Sequence, residues 1–318
     1  MLRRFDVQDG RLKPVDEGAG AVVWWDLHRP TPDEERTVET CLGLELPTFD
    51  EMQEIETSAR LYVEDGACFM TAQVPSHTDA EQASSAPVTF ILSGQRLVTI
   101  RHSEPRAFTT FPQRAAKSDL GLGDGKTVLV ALLEAMIGRL ADILERVGRD
   151  MDALSRSVFG QGGAETRKGS RYKTTLETIG RKGDLTSNIR ESLASFERLL
   201  AFLGPKLGAS SGSANEDLAI IALDIRSLSD HAGFLAQKVT LLLDATLGLI
   251  SIEQNGIIKI FSVASVVFLP PTLVASIYGM NFDVMPELHW HYGYPLALGA
   301  MVLSAALPYL YFKKRGWL

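Results

Sequence analysis

Cysteine is nearly absent from this 318-residue chain, which contains only Cys41 and Cys68. They form no C-x-x-C pair and cannot build a disulfide framework, so we expect thiols that are buried or without a specific role, in a reducing compartment. The first residues also lack an apolar segment behind Arg3 and Arg4, so no secretory signal is predicted. The large N-terminal part is therefore expected to stay in the cytoplasm.

An excess of positive charge is missing as well. The formal net charge is -7, which argues against a nucleic-acid partner. No nucleophile-base pattern or metalloprotease motif occurs. The run Gly125-Lys126-Thr127 ends like a phosphate-binding loop, but Leu120 stands where the first glycine should be and no apolar strand precedes it. An enzyme is not predicted.

Charged residues are missing from two long segments, residues 260–280 and 292–312. Each is about long enough to cross a bilayer as a helix. Lysine and arginine are also absent from the loop at 281–291, whereas Lys259 precedes the first segment and a basic run at 313–315 follows the second. By the positive-inside rule, both termini are expected in the cytoplasm.

The N-terminal region shows mixed signals. Short β-rich runs occur at 21–25, 61–63, 68–71, 88–92 and 96–100, and Thr31-Pro32 followed by acidic residues is typical of a capped helix start. These patterns predict a small α/β domain, with the strand order left open.

Helical periodicity begins after Phe111. Apolar residues at three- and four-residue steps predict helices over 129–158 and 185–203 and a third from about Asn215. No proline occurs between Pro205 and Pro270, so the third helix is predicted to continue to Tyr278, about 95 Å at 1.5 Å per residue.

The predicted segments are a cytoplasmic α/β domain (1–125), a helical hairpin (126–213), a stalk helix (214–280) that becomes the first span at about 257–280, an outer loop (281–291), a second span (292–312) and a basic cytoplasmic tail (313–318).

The run Tyr278–Phe282 (YGMNF), between the two charge-free segments, resembles the signature of the CorA family of divalent-cation channels. The likeness extends over 255–318, with FLPPT at 268–272, MPEL at 285–288 and a basic tail ending in Trp-Leu. The resemblance implies a cytoplasmic α/β domain, long helices forming a funnel, two transmembrane helices per subunit and a homopentamer in the bacterial inner membrane. It also implies potential-driven entry of hydrated Mg2+, with Co2+ and Ni2+ as further candidate ions, and no organic cofactor.

Two helices cannot enclose a polar path, so transport requires several copies around an axis. The resemblance assigns the first span to the pore lining. Steps of three or four residues along that span define a stripe that is polar in its outer half and bulky and apolar in its inner half, as expected of a pore with a hydrophobic constriction. Helix packing would also explain its Ser and Thr residues, and the stripe alone does not decide between the two. The stripe comprises Asn255, Ile258, Phe261, Ser265, Leu269, Thr272 and Ser276.

Asn281 is the strongest candidate for ion selection, together with Gly279 and Met280. Magnesium releases its water reluctantly, so neutral amide and carbonyl oxygens that hydrogen-bond the hydrated ion suit a selective entrance. A ring of Asn281 side chains, with the Gly279 carbonyl beneath, supplies such oxygens. The alternative role of Asn281 is a helix cap at the membrane interface.

Acidic residues supply two further groups of candidates. Asp283 and Glu287 in the outer loop would attract cations to the mouth, or are solvated loop charges. The resemblance also implies closure by cytoplasmic Mg2+ bound between subunits, for which Asp217, Asp224 and Asp230 on the third helix are candidates.

The alternatives to a magnesium channel are a zinc transporter of the related ZntB type and a membrane-anchored metal sensor that does not conduct. Met280 and the MPEL loop argue against the zinc branch.

Overall fold

A computed structural model of the chain describes residues 1–16, 22–76, 78, 84–160, 168–207, 212–281 and 285–317. These residues form two compact units, Met1–Leu243 and Asp244–Leu318. The sheet, the helical hairpin and the first part of the third long helix thus belong to one unit. The finer division predicted from the sequence remains a prediction.

The first unit is built on a seven-stranded sheet. Its order is β2-β1-β3-β7-β6-β5-β4, in which β3 and β7 are parallel and every other neighbouring pair is antiparallel. The sequence runs predicted as strands correspond to β3 to β7, whereas β1 and β2 were not predicted. Asp9 and Gly10, both with positive φ, join these two strands, and an Asp-Gly pair between short strands is the signal that could have revealed the hairpin. The strands are β1 Leu2–Gln8, β2 Arg11–Pro14, β3 Trp24–His28, β4 Leu61–Glu64, β5 Ala67–Ser76, β6 Ser84–Ser93 and β7 Arg96–Arg101.

Helices cover both faces of this sheet because successive strand residues point to opposite sides. Trp24 packs into a large core with residues of the long helices, while Trp25 packs into a smaller core with Val38 and Met52. The smaller core includes residues of the short helices α1 Pro32–Leu42 and α2 Phe49–Gln53, whereas the four-residue helix α3 Thr57–Arg60 leads directly into β4. The larger one includes residues of α4 Ala107–Lys117, α5 Gly125–Phe159, α6 Lys168–Leu203 and the early part of α7 Gly212–Tyr278.

The predicted start of α1 and the three long helices are confirmed, although α6 begins at Lys168, before the apolar repeat at 185–203. The Thr31 side chain caps α1 by accepting from the Glu34 backbone amide, and the Thr31 backbone amide donates to the Glu34 carboxylate. Asp124 caps α5 by accepting from the Lys126 and Thr127 backbone amides, so the run Gly125-Lys126-Thr127 opens a helix rather than a phosphate loop. Helix α7 has 67 residues and continues without interruption through Pro270 and Pro271.

We expect Gly125→Ala to destabilise the first unit. The Gly125 amide donates to the Gln95 carbonyl at 2.6 Å, and an added Cβ would lie 2.6 Å from backbone atoms of Arg96 and Leu97. Because backbone atoms cannot turn aside as a flexible side chain can, the overpacking should cost about 1–3 kcal/mol of unfolding free energy. Chemical unfolding would measure it.

Gly138→Ala, on the same helix, is the matched control. Gly138 is exposed and nothing lies within 4 Å of its added Cβ, so alanine should instead stabilise α5 by about 0.5–1 kcal/mol. Equal effects at the two glycines would contradict the proposed close contact at Gly125.

The second unit holds the two apolar helical segments. The end of α7 and helix α8, Gly293–Lys314, are long and apolar enough to cross a membrane, with mean hydropathies of 2.0 and 1.6 in their most apolar windows. Almost none of either window is buried within the chain. A soluble protein would bury such helices in a core, so this exposure favours the membrane interpretation.

Candidate functional site

One face of the final part of α7 is partly covered. Val263 is buried there, and the half-buried residues at 256, 267, 270 and 274 share its face. Helix α8 has a corresponding half-buried row at 293, 297, 300, 304 and 308. The Lys259 ammonium lies 5.7 Å from the centre of the Trp317 ring, so the end of α8 lies beside α7 at this level.

Six of the seven residues of the predicted stripe lie on the side of α7 away from Val263, whereas Asn255 lies only about 80° around the axis from it. Thr272 is nine residues from Val263, which is half a rotation around the axis at 100° per residue. All seven stripe residues, Asn255, Ile258, Phe261, Ser265, Leu269, Thr272 and Ser276, are exposed in the single chain. The stripe is therefore free to face other copies of the chain or a lumen.

Two of the three hydroxyl groups of the stripe donate hydrogen bonds within the helix. Ser265 Oγ donates to the Phe261 carbonyl at 2.9 Å, and Thr272 Oγ1 donates to the Phe268 carbonyl at 2.7 Å. Each hydroxyl proton is thus used locally, whereas the oxygen can still accept a hydrogen bond. Such a surface is compatible with both lipid and water.

The run Gly279-Met280-Asn281 lies immediately beyond the end of α7. The Gly279 amide donates to the Ala275 carbonyl at 2.9 Å, and the Met280 amide donates to the Ile277 carbonyl at 3.3 Å, so the last turn tightens before the chain leaves the helix. Gly279 does not adopt a positive φ; the helix ends without the left-handed conformation that glycine often supplies. All three residues are exposed, and Asn281 is outside the helix.

The outer loop is described only in part. Asp283 lies outside the described residues. The Glu287 backbone belongs to a short 3-10 turn, Pro286–His289, but its side chain is not described. Beyond the turn, the rings of Trp290 and His291 both contact Tyr292 edge to face, which gathers aromatic groups at this end of α8 as expected of a membrane interface.

The acidic candidates on α7 do not form a metal site within one chain. Asp217, Asp224 and Asp230 are all exposed. Asp224 borders a cavity of about 780 Å3 together with Glu134 and Asp142. Among the described residues, no three His, Cys, Asp or Glu side chains come close enough to hold a metal ion. A regulatory metal site that uses these carboxylates would need further ligands from a second subunit.

An ion pair within the first unit joins α7 to α5. The Lys238 ammonium donates to the Asp152 carboxylate, and this hydrogen bond and charge lower the pKa of Asp152. A second pair, Lys182 with Asp150, joins α6 to α5. The three long helices of this unit are thus connected by charged groups as well as by their apolar core.

These features define a membrane protein with an α/β unit, long helices and two candidate spans, the first of which carries an exposed, partly polar stripe. The family described as CorA-like Mg2+ transporter protein matches residues 19–314 of the chain. The chain belongs to this family, and the resemblance drawn from the run at 278–282 is confirmed.

Relatives match the chain over its whole length. A magnesium transport protein CorA from Pasteurella multocida is 39% identical over 322 aligned residues, with full coverage of both chains. One from Escherichia coli strain K12 is also 39% identical with full coverage of both. The solved structure of a CorA magnesium transporter from Methanocaldococcus jannaschii has a TM-score of 0.76 at 17% identity, covering 100% of this chain and 98% of that one. The predicted CorA-like fold is therefore confirmed.

Proposed function

We propose that this chain is the subunit of a channel that admits hydrated Mg2+ into the cytoplasm, driven by the membrane potential. Its support is family membership together with two membrane-length helices. Two charges that cross 100 mV release roughly 4.6 kcal/mol, so that ATP hydrolysis is not required. Both termini are proposed to lie in the cytoplasm, which the charge asymmetry around the spans supports, and the membrane is proposed to be a bacterial inner membrane, following the resemblance to the family.

The pore is proposed to form where the exposed stripes of several α7 helices meet. The observation that carries this is the position of most of the stripe opposite Val263, on the face of α7 that the chain itself leaves open. Five copies are proposed, following the resemblance to the family. The apolar residues in the cytoplasmic half of each stripe would form the constriction. The hydroxyl groups in the outer half would contact a hydrated ion.

Asn281 is proposed to form the selective entrance with the Gly279 carbonyl and Met280. These groups follow directly from the end of the stripe-bearing helix, and each copy presents one exposed amide. Asp283 and Glu287 are proposed to raise the cation concentration at this mouth through their charge. Co2+ and Ni2+ are proposed as further ions because they carry the same charge as Mg2+ and also hold their water molecules tightly.

Closure is proposed to depend on cytoplasmic Mg2+ at Asp217, Asp224 and Asp230. The exposure of all three in one chain is compatible with sites completed by a neighbouring copy. Magnesium at such sites would remove the repulsion between like-charged carboxylates and hold the long helices together. Mg2+ thus serves as both the transported and the regulatory ion.

Ion entry into proteoliposomes tests this function. Purified protein is reconstituted with a Mg2+-sensitive dye inside, and a potassium gradient with valinomycin sets the inside negative. We expect rapid Mg2+ entry that disappears at zero potential. Zn2+ entry without Mg2+ entry would support a zinc transporter instead, and a protein that binds metal but passes neither ion would be a sensor.

We expect Ile258→Asn to increase Mg2+ leakage several-fold when cytoplasmic Mg2+ is high. Ile258 belongs to the apolar half of the stripe, and a polar side chain there would let water wet the constriction. The same proteoliposome assay, with Mg2+ on both sides, measures the leak.

Ile260→Asn is the matched control for that variant. Ile260 is as exposed as Ile258, 64% against 60%, but two residues place it about 200° away around the helix. It should leave the leak unchanged. Equal leakage from both variants would show that perturbation of α7, rather than the stripe, is responsible.

A further inference from the structure

The C-terminal end of α8 is a compact turn that gathers basic and aromatic groups. Gly316, with φ of 71°, reverses the chain. The Trp317 amide donates to the Phe312 carbonyl and the Gly316 amide donates to the Lys313 carbonyl, which is the Schellman pattern of helix termination. The Trp317 ring stacks on Phe312 with 5.4 Å between ring centres. The position of Trp317 is therefore fixed by the backbone and by its neighbour.

This turn brings together charges from both apolar helices. Lys259 on α7 lies over the Trp317 ring, and the Arg315 guanidinium lies 5.4 Å from the centre of the Tyr311 ring. We call this group of side chains, Lys259, Lys313, Lys314, Arg315 and Trp317, the basic turn. All five are exposed.

The basic turn has no acidic side-chain partner among the residues that the structure describes. No Asp or Glu occurs at 254–282 or 288–318, and within the described part of the chain none of the four cations forms an ion pair. Glu253, the nearest acid along α7, precedes Lys259 by six residues, about 9 Å along the axis. Four cationic side chains near this end of the two helices thus have no acidic side-chain partner in the described part of the chain, and a bound anion or surrounding water would lower the repulsion between them.

The basic turn also lies at the boundary of both apolar segments. Lys259 directly precedes the charge-free run of α7, and Lys313 directly follows that of α8. The contact between Lys259 and Trp317 puts the two boundaries at one level. Indole rings and basic side chains at such a level are typical of the headgroup region of a membrane.

We propose that the basic turn binds the phosphate of an anionic phospholipid from the cytoplasmic leaflet. The phosphodiester would accept hydrogen bonds from Lys259 on one side and from Lys314 or Arg315 on the other, while Trp317 contacts the glycerol and upper acyl region. One lipid would thereby connect α7 to the end of α8. This inference rests on the membrane placement in the proposed function, but not on conduction.

Quenching of Trp317 by brominated lipids tests this site. Full-length protein carrying Trp290→Phe is reconstituted in phosphatidylcholine vesicles with a small fraction of either brominated phosphatidylglycerol or brominated phosphatidylcholine. A variant that also carries Trp317→Phe supplies the background from the two buried tryptophans, Trp24 and Trp25. We expect phosphatidylglycerol to quench Trp317 more strongly at equal mole fraction.

The preference should depend on the basic side chains. Lys314→Gln with Arg315→Gln should lower the relative affinity for phosphatidylglycerol by about fivefold or more, since each basic residue near an anionic surface contributes measurably. Lys314→Arg with Arg315→Lys keeps the charge and should keep the preference. Lys13→Gln with Lys117→Gln removes two exposed charges from the other unit and should change nothing.

Several results would overturn the proposal. Equal quenching by the two lipids, or a preference that survives loss of both charges, would show that the basic turn does not select anionic lipid. Loss of the preference on addition of millimolar inorganic phosphate would identify a site for soluble phosphate instead. Mg2+ entry measured on the same vesicles distinguishes the lipid site from the channel. A preference for phosphatidylglycerol without Mg2+ entry would contradict the proposed channel but would leave the lipid site standing.

Discussion

Replacing Asn281 with alanine is expected to reduce potential-driven Mg2+ entry by about tenfold or more, because a hydrogen bond to the hydrated ion is worth about 1 kcal/mol and every subunit loses one. The variant should still assemble, since Asn281 is exposed beyond the last turn of α7 and supplies no hydrogen bond in the described structure. Proteoliposome flux, with oligomer size measured on the same sample, would test both statements.

Two other variants sharpen this prediction. Asn281→Asp keeps the size of the side chain but offers a carboxylate, which would hold the ion directly and slow its passage. His289→Ala lies in the same outer region and should leave Mg2+ entry intact. If Asn281→Ala conducts Mg2+ as well as the parent protein does, Asn281 is not part of the entrance.

The second large effect is expected from Asp26→Asn, which should destabilise the first unit by about 3–5 kcal/mol. The Asp26 carboxylate is fully buried and accepts from Arg3, from Arg101 and from the Thr99 hydroxyl. Arg101 Nε lies 3.0 Å from Asp26 Oδ1, and Arg101 Nη2 lies 3.0 Å from Asp26 Oδ2. An amide at this position would point hydrogens at guanidinium groups and leave Arg101, also buried, without its counter-charge.

Thermal and chemical unfolding of the full-length protein in detergent would measure this loss. Asp33→Asn is the control, because Asp33 pairs with Arg36 in an exposed i,i+3 contact, and exposed pairs of this kind contribute little. Similar effects at Asp26 and Asp33 would contradict the importance of burial. The Asp26 cluster connects β1, β3 and β7 and, through a hydrogen bond from Arg3 to the Phe108 carbonyl, the start of α4.

The candidate site could be proposed from the sequence because its signals are local. A charge-free run, a three- or four-residue repeat and the run at 278–282 can each be recognised without knowing what packs against them. The stripe was also predictable as a set of residues, but its sequence was equally consistent with helix packing. Only the burial of Val263 on the opposite face shows that the chain itself leaves the stripe open.

The hairpin of β1 and β2 was missed for a different reason. Both strands carry several charged residues, so their apolar alternation is weak. They are held by pairing, β1 with β3 and β2 with β1, rather than by their own composition. Asp26 was missed because a single acid inside an apolar strand has no partner nearby in sequence. Its partners Arg3 and Arg101 are 23 and 75 residues away.

The sequence by itself determined the long helices, the two candidate membrane segments and the family, because periodicity, lack of charge and a contiguous signature are properties of neighbouring residues. The tertiary structure alone decided the strand order, the burial of Asp26 between two arginines and the meeting of Lys259 with Trp317. Each of these depends on which distant segments pack together, and that choice is made by the shared burial of apolar surface and not by any local pattern.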